Sequence, residues 1–70
     1  MKIYAPFAGI IRFSVSDGQA VDTGAELAVV ESVKLEAPVL APGPGIVRLG
    51  AVGDHANVTG GDAILELVEQ

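Results

Sequence analysis

The stretch Glu31-Ser32-Val33-Lys34-Leu35-Glu36 sets one lysine between apolar neighbours, with acids outside them, near the midpoint of a 70-residue chain. Lys2 is the only other lysine. An amine offered at the tip of a rigid turn is a target for covalent acylation. A Schiff-base lysine, by contrast, needs a desolvated pocket, which nothing around Lys34 announces. An enzyme acting on Lys34 must therefore supply its own base and an activated acyl donor. The remaining reactive side chains carry less. His55, the single histidine, stands beside Asp54 in a turn and reads as solvated loop, not as a base. No group of His and carboxylates has the spacing of metal ligands. There is no Cys, which removes thiolate sites and disulfides. Gly43-Pro44-Gly45 matches neither GxGxxG nor GxxxxGK. The expectation is chemistry done on this chain and not by it: a non-catalytic carrier.

Most turn lysines are merely solvated, so the elements around Lys34 must decide. The clearest organisational signal is an internal repeat. Ala5-Pro6-Phe7-Ala8-Gly9-Ile10-Ile11-Arg12 returns 36 residues later as Ala41-Pro42-Gly43-Pro44-Gly45-Ile46-Val47-Arg48. Val21-Asp22-Thr23-Gly24-Ala25-Glu26-Leu27 returns 37 residues later as Val58-Thr59-Gly60-Gly61-Asp62-Ala63-Ile64. Two copies are too few for a solenoid and point to a pseudo-twofold domain. Residues 10–15, 27–30, 46–49 and 63–68 are apolar, β-branched runs that read as strands. Nine glycines and four prolines punctuate them too often for a helix of ordinary length. A helix over 25–33 is the local competitor, but its repeat partner at 63–68 is strand-like. About eight short strands then fold as an all-β flattened barrel or sandwich: two four-stranded antiparallel sheets with pseudo-twofold symmetry, a barrel-sandwich hybrid forming one domain over residues 1–70. The expected core is Ile10, Val15, Val21, Leu27, Val29, Val39, Val47, Val58, Ile64 and Leu67. Gly9, Gly24, Gly45 and Gly61 are expected at positive-φ or close-packed turns. Arg12 and Arg48, equivalent in the two halves, are expected to face outward.

Lys34 falls at the junction of the halves. The runs on either side leave no residues for a crossover, so the chain must return as a hairpin. Its tip has neither Asn-Gly nor Asp-Gly, the residues that stabilise tight turns. A valine and a lysine there oppose local propensity, and such departures gather at functional positions. Val33 and Leu35 read as a recognition surface around the amine. Glu31 and Glu36 read either as recognition charges for an enzyme that modifies Lys34 or as plain solvating charges.

Bulk composition narrows the partners. Nine acids against two Lys and two Arg give a net charge of −5, which argues against nucleic-acid binding. The same charge repels anionic membranes, and the longest uncharged run, 37–47, holds three prolines and cannot be a membrane helix. With no Cys and no visible signal peptide, the expectation is a complete, soluble, cytoplasmic protein, monomeric when isolated.

Taken together, Ala5–Gly9, Ala41–Gly45, the looser turns at 18–27 and 53–64, and Ser32-Val33-Lys34-Leu35-Glu36 resemble the biotinyl/lipoyl attachment domain over the whole chain. The likeness is greatest to stand-alone biotin carboxyl carrier domains, whose tip reads Ala-Met-Lys-Met-Glu. Here Val33 and Leu35 stand for the methionines and keep their apolar character. The resemblance implies that a biotin protein ligase acylates Lys34. The group then visits a biotin carboxylase, which carboxylates its ureido nitrogen using bicarbonate and ATP. A carboxyltransferase next hands the carboxyl to an acceptor, typically an acyl-CoA. Lipoate is the alternative group. Glu31-Ser32-Val33-Lys34 also resembles the lipoyl motif of glycine-cleavage H proteins, which are much longer and place Ala where Leu35 stands. An unmodified interaction module is the third reading.

Overall fold

A computed structural model describes residues 1–50 and 52–69. It contains eight strands: β1 (Lys2–Tyr4), β2 (Gly9–Phe13), β3 (Ala20–Val21), β4 (Glu26–Glu31), β5 (Glu36–Leu40), β6 (Gly45–Leu49), β7 (Asn57–Val58) and β8 (Ala63–Val68). No helix occurs among the described residues, so 25–33 is strand and turn. One sheet has the order β1-β8-β6-β3 and the other β5-β4-β2-β7, with every pairing antiparallel. Exchanging each strand with its repeat partner (β1 with β5, β2 with β6, β3 with β7, β4 with β8) converts one order into the other. Each sheet therefore draws two strands from either half, and the pseudo-dyad exchanges the sheets.

The dyad extends to hydrogen bonds between the halves. The N–H of Gly18 donates to Val47 O at 2.7 Å, and that of His55 donates to Ile11 O at 2.7 Å. Asp17 Oδ1 accepts from the N–H of Leu49 at 2.8 Å, and Asp54 Oδ1 accepts from the N–H of Phe13 at 2.9 Å. Each half thus closes the end of the other's strand with an aspartate from its own loop. The loops need left-handed backbone at equivalent points: φ is 85° at Gly18 and 64° at His55. Gly24 and Gly61 repeat the pattern at 85° and 89°, as expected where only glycine takes such angles without strain.

The core between the sheets is aliphatic, its largest fully buried side chains being Ile11, Leu27, Val30, Val47 and Ile64. Val21, Leu27, Val39, Val47, Val58, Ile64 and Leu67 are buried as expected. Three expected core positions need correction. Ile10 is 39% exposed, and its neighbour Ile11 is the buried one. Arg12 faces out, and in a strand the residue two positions away shares its face. Val29 lies on that same outer face and is half-buried, while Val15 lies beyond the end of β2 and only packs against the core's edge. Ile3, Ala5, Ala28, Val30, Ala41 and Leu65 complete the interior.

Candidate functional site

Strands β4 and β5 form a hairpin whose last paired residues are Glu31 and Glu36. The four residues beyond that pair form the turn. The N–H of Ser32 donates to Leu35 O at 2.7 Å, and the N–H of Leu35 donates to Ser32 Oγ at 3.1 Å. The Ser32 hydroxyl lies 3.4 Å from Leu35 O as a second, longer contact. A serine side chain thus performs the closure that Asn-Gly performs elsewhere, leaving Val33 and Lys34 alone at the tip. This role for Ser32 was missed at the sequence level. Its signal is a hydroxyl three residues before Leu35 in a turn with no glycine.

Lys34 is exposed, and among the described residues it forms no ion pair. Val33 is fully exposed and Leu35 is 59% exposed. Two aliphatic side chains in water beside an amine bring the fold nothing, since neither packs in the core.

Below the tip, Glu31 and Glu36 stand directly opposite one another, a pairing of like charges that opposes hairpin closure. Arg12 on the adjacent strand answers both, with Nη2 at 3.9 Å from Glu31 Oε2 and 3.7 Å from Glu36 Oε2. All three side chains are about half exposed, so the arrangement offsets repulsion without adding much stability. Arg12 faces outward as expected, but its bridging of the two acids was not foreseen. Gly9 fixes the depth at which β2 meets this base. A Cβ there would sit 2.5 Å from Glu31 O, closer than real Cβ atoms approach. Gly45, its repeat partner, is constrained by Val68 O at 2.9 Å. Beside the tip, Gly9, Ile10, Glu31, Ser32, Val33 and Asn57 line a shallow groove.

His55 lies elsewhere. Its Nδ1 is 3.1 Å from Asp54 Oδ2, both side chains are exposed, and Asp54 is bonded to the far end of β2 from the hairpin. It takes no part in the tip. No group of three or more His, Cys, Asp or Glu that could hold a metal ion occurs among the described residues. No helix long and apolar enough to cross a membrane occurs among them either.

Two small sheets exchanged by a dyad, with a lysine on the hairpin that joins the halves, make a rigid scaffold that displays one amine. Comparison with known proteins gives the particular family. Residues 1–67 match the family described as "Biotin-requiring enzyme". A "Biotin/lipoyl attachment protein" of Bacillus subtilis (strain 168) is 38% identical over 68 residues, covering 96% of this chain and 93% of that protein. In a solved structure titled "Structure and function of a single-chain, multi-domain long-chain acyl-coa carboxylase", a region superposes on this whole chain with a TM-score of 0.88 and 24% identity. This chain spans 7% of that one, and the likeness is one of fold. The chain belongs to the biotin/lipoyl attachment family and is an attachment domain of the carrier type.

Proposed function

We propose that Lys34 accepts a biotinyl group and that this domain is a biotin carboxyl carrier. The observation that carries the reading is the tip itself. An exposed lysine, in no ion pair among the described residues, sits at the tip of a four-residue turn, between a fully exposed Val33 and a Leu35 that is 59% exposed. Aliphatic residues on both sides fit the biotin motif better than the lipoyl one, whose usual small residue after the lysine is absent.

Loading would proceed by acyl transfer to Lys34. The Nζ lone pair attacks the carbonyl carbon of an acyl-adenylate held by a biotin protein ligase. An amide bond forms, the carbonyl C–O bond to phosphate breaks, and AMP leaves. A base on the ligase takes the proton from nitrogen, because among the described residues no carboxylate or imidazole lies within ion-pairing distance of Lys34. A bound biotin supplies a ureido nitrogen able to take up and release a carboxyl group. The domain's own contribution is to hold the lysine on rigid strands and to keep the arm's local concentration high for both partner sites. Those partners are a biotin carboxylase and a carboxyltransferase, most simply one acting on an acyl-CoA. The carboxylase in the structural comparison supports that choice. A cysteine-free composition supports work in the cytoplasm.

The test is intact-mass spectrometry after co-expression with a biotin ligase. One biotinyl addition is expected, absent in Lys34→Arg. A clean lipoyl addition with a lipoate ligase and none with biotin would replace this reading by the lipoyl one. The lipoyl-like Glu31-Ser32-Val33-Lys34 is the observation in its favour. No addition by either enzyme would leave an unmodified interaction module.

A further inference from the structure

The two outer faces occupy dyad-equivalent positions, so they can be compared residue by residue. On the first sheet Lys2, Glu66 and Arg48 form one cross-strand row of alternating charge. The equivalent row of the second sheet is Pro38, Val29 and Arg12. Lys2 and Glu66 have become proline and valine.

That exchange changes the continuity of the surface. On the first sheet the apolar positions Tyr4 and Ile46 lie on opposite sides of the charged row, and Glu66 separates them. On the second sheet their equivalents are Leu40 and Ile10, exposed by 52% and 39%, and Val29 joins them. Ile10 in turn lines the groove that reaches Ser32 and Val33. An aliphatic face therefore runs from Leu40 to the tip, with Glu31, Arg12 and Glu36 along its border. Pro38 sits on the outermost strand, where a missing N–H costs no pairing within the sheet.

We infer that the outer face of the second sheet is the platform on which the enzyme that acylates Lys34 rests. The inference rests on the reading of Lys34 given above. Distance selects this partner over those that act later. A loaded arm extends the lysine by the whole acyl chain, so enzymes that use the attached group can work away from the scaffold. The acylating enzyme must bring a bound acyl donor to the bare Nζ, across only the four methylenes of the side chain. It approaches most closely, and the surface it meets is the one continuous with the tip. Its matching surface is aliphatic, rimmed by basic groups that face Glu31 and Glu36 in a chain of net charge −5.

The symmetry supplies the test. Val29→Glu with Pro38→Lys copies the first sheet's row onto the second, using residues already accommodated at equivalent positions. Glu66→Val makes the reverse change on the first sheet. Leu40→Lys alters the face at a site already mostly in water, and so interrupts it even should the double variant fold poorly. Initial rates of biotinyl transfer by purified ligase are measured against carrier concentration, with circular dichroism confirming each fold. The double variant and Leu40→Lys are each expected to lower kcat/KM by about tenfold, through KM. Glu66→Val is expected to match the parent protein. Parent-like rates for folded variants of the second sheet would overturn the platform and leave Lys34's role intact. Normal loading combined with slowed carboxyl transfer would overturn it too, by assigning the face to a later partner. If the parent protein itself accepts no biotinyl group, the reading of Lys34 falls first and the platform with it.

Discussion

Strands β4 and β5 repeat β8 and β1 in detail. Pro38 faces Val29 as Lys2 faces Glu66, Val39 faces Ala28 as Ile3 faces Leu65, and Leu40 faces Glu26 as Tyr4 faces Ala63. Even the irregularity near the last of these pairs is shared. The difference lies at one end. A turn of four residues joins β4 to β5, whereas β8 and β1 come last and first in the chain and have no turn between them. The same strand pair forms with and without a connecting turn, so packing and register hold it together. Val33, Lys34 and Leu35 are thus released from structural duty. Their exposure has to be explained by something outside the domain.

Four measurements would break or sharpen that comparison. The largest effect is all or nothing: Lys34→Arg should abolish acylation completely, while Lys2→Arg on the turnless pair should leave the added mass unchanged. Uptake at Lys2 would show that the tip is not what selects the lysine. Next come the two close approaches. Gly9→Ala should cost about 2–3 kcal/mol and Gly45→Ala about 1–2 kcal/mol in urea unfolding, because the added carbon meets Glu31 O at 2.5 Å but Val68 O at 2.9 Å. Equal losses would mean that the hairpin base relaxes as freely as its counterpart. The reciprocal aspartates should differ least from each other. Asp17→Ala and Asp54→Ala are each expected to cost about 1–2 kcal/mol, and a large inequality would show the halves to be unequal partners.

The smallest effect concerns Asp62, whose equivalent in the first half is Ala25. The backbone N–H of Thr59 donates to Asp62 Oδ2 at 2.8 Å and, with the Thr59 side chain, holds this carboxyl below the usual carboxylate range. Its pKa is lower folded than unfolded, so the folded state favours the ionised form. The contribution is therefore present above the unfolded pKa and disappears as pH falls through the folded one. The parent protein should melt slightly higher than Asp62→Asn at neutral pH, and the two melting curves should converge in strong acid. A gap unchanged by acid would assign the turn's stability to neutral hydrogen bonding alone.

Much of this was legible in the sequence because the repeat states the fold twice. The spacing between Ala5–Arg12 and Ala41–Arg48 gave the dyad, and the lack of crossover residues near Lys34 gave the hairpin. The repeat also held the correction for Ile10. Val47 reads as core and is buried, and its partner 36 residues earlier is Ile11. Likewise Glu66, the partner of Val29, already indicated a position facing water. Arg12's bridge to Glu31 and Glu36 was not legible, because it depends on which strand lies beside β4. Neither was the asymmetry of the two outer faces, since a valine and a proline in apolar runs look like core until register is known. The left-handed His55 was hidden for a similar reason. Its partner Gly18 signals the conformation, but a histidine alone does not.

The interleaving of the halves has one more consequence. Every sheet borrows two strands from each half, and each half's loop caps the other, so neither half by itself contains a complete sheet. A nascent chain that ends before β7 therefore has an incomplete platform under its lysine, and the geometry of the tip rests on strands from both halves. An enzyme that recognises that geometry inspects its substrate in the act of modifying it, and an isolated half would not pass.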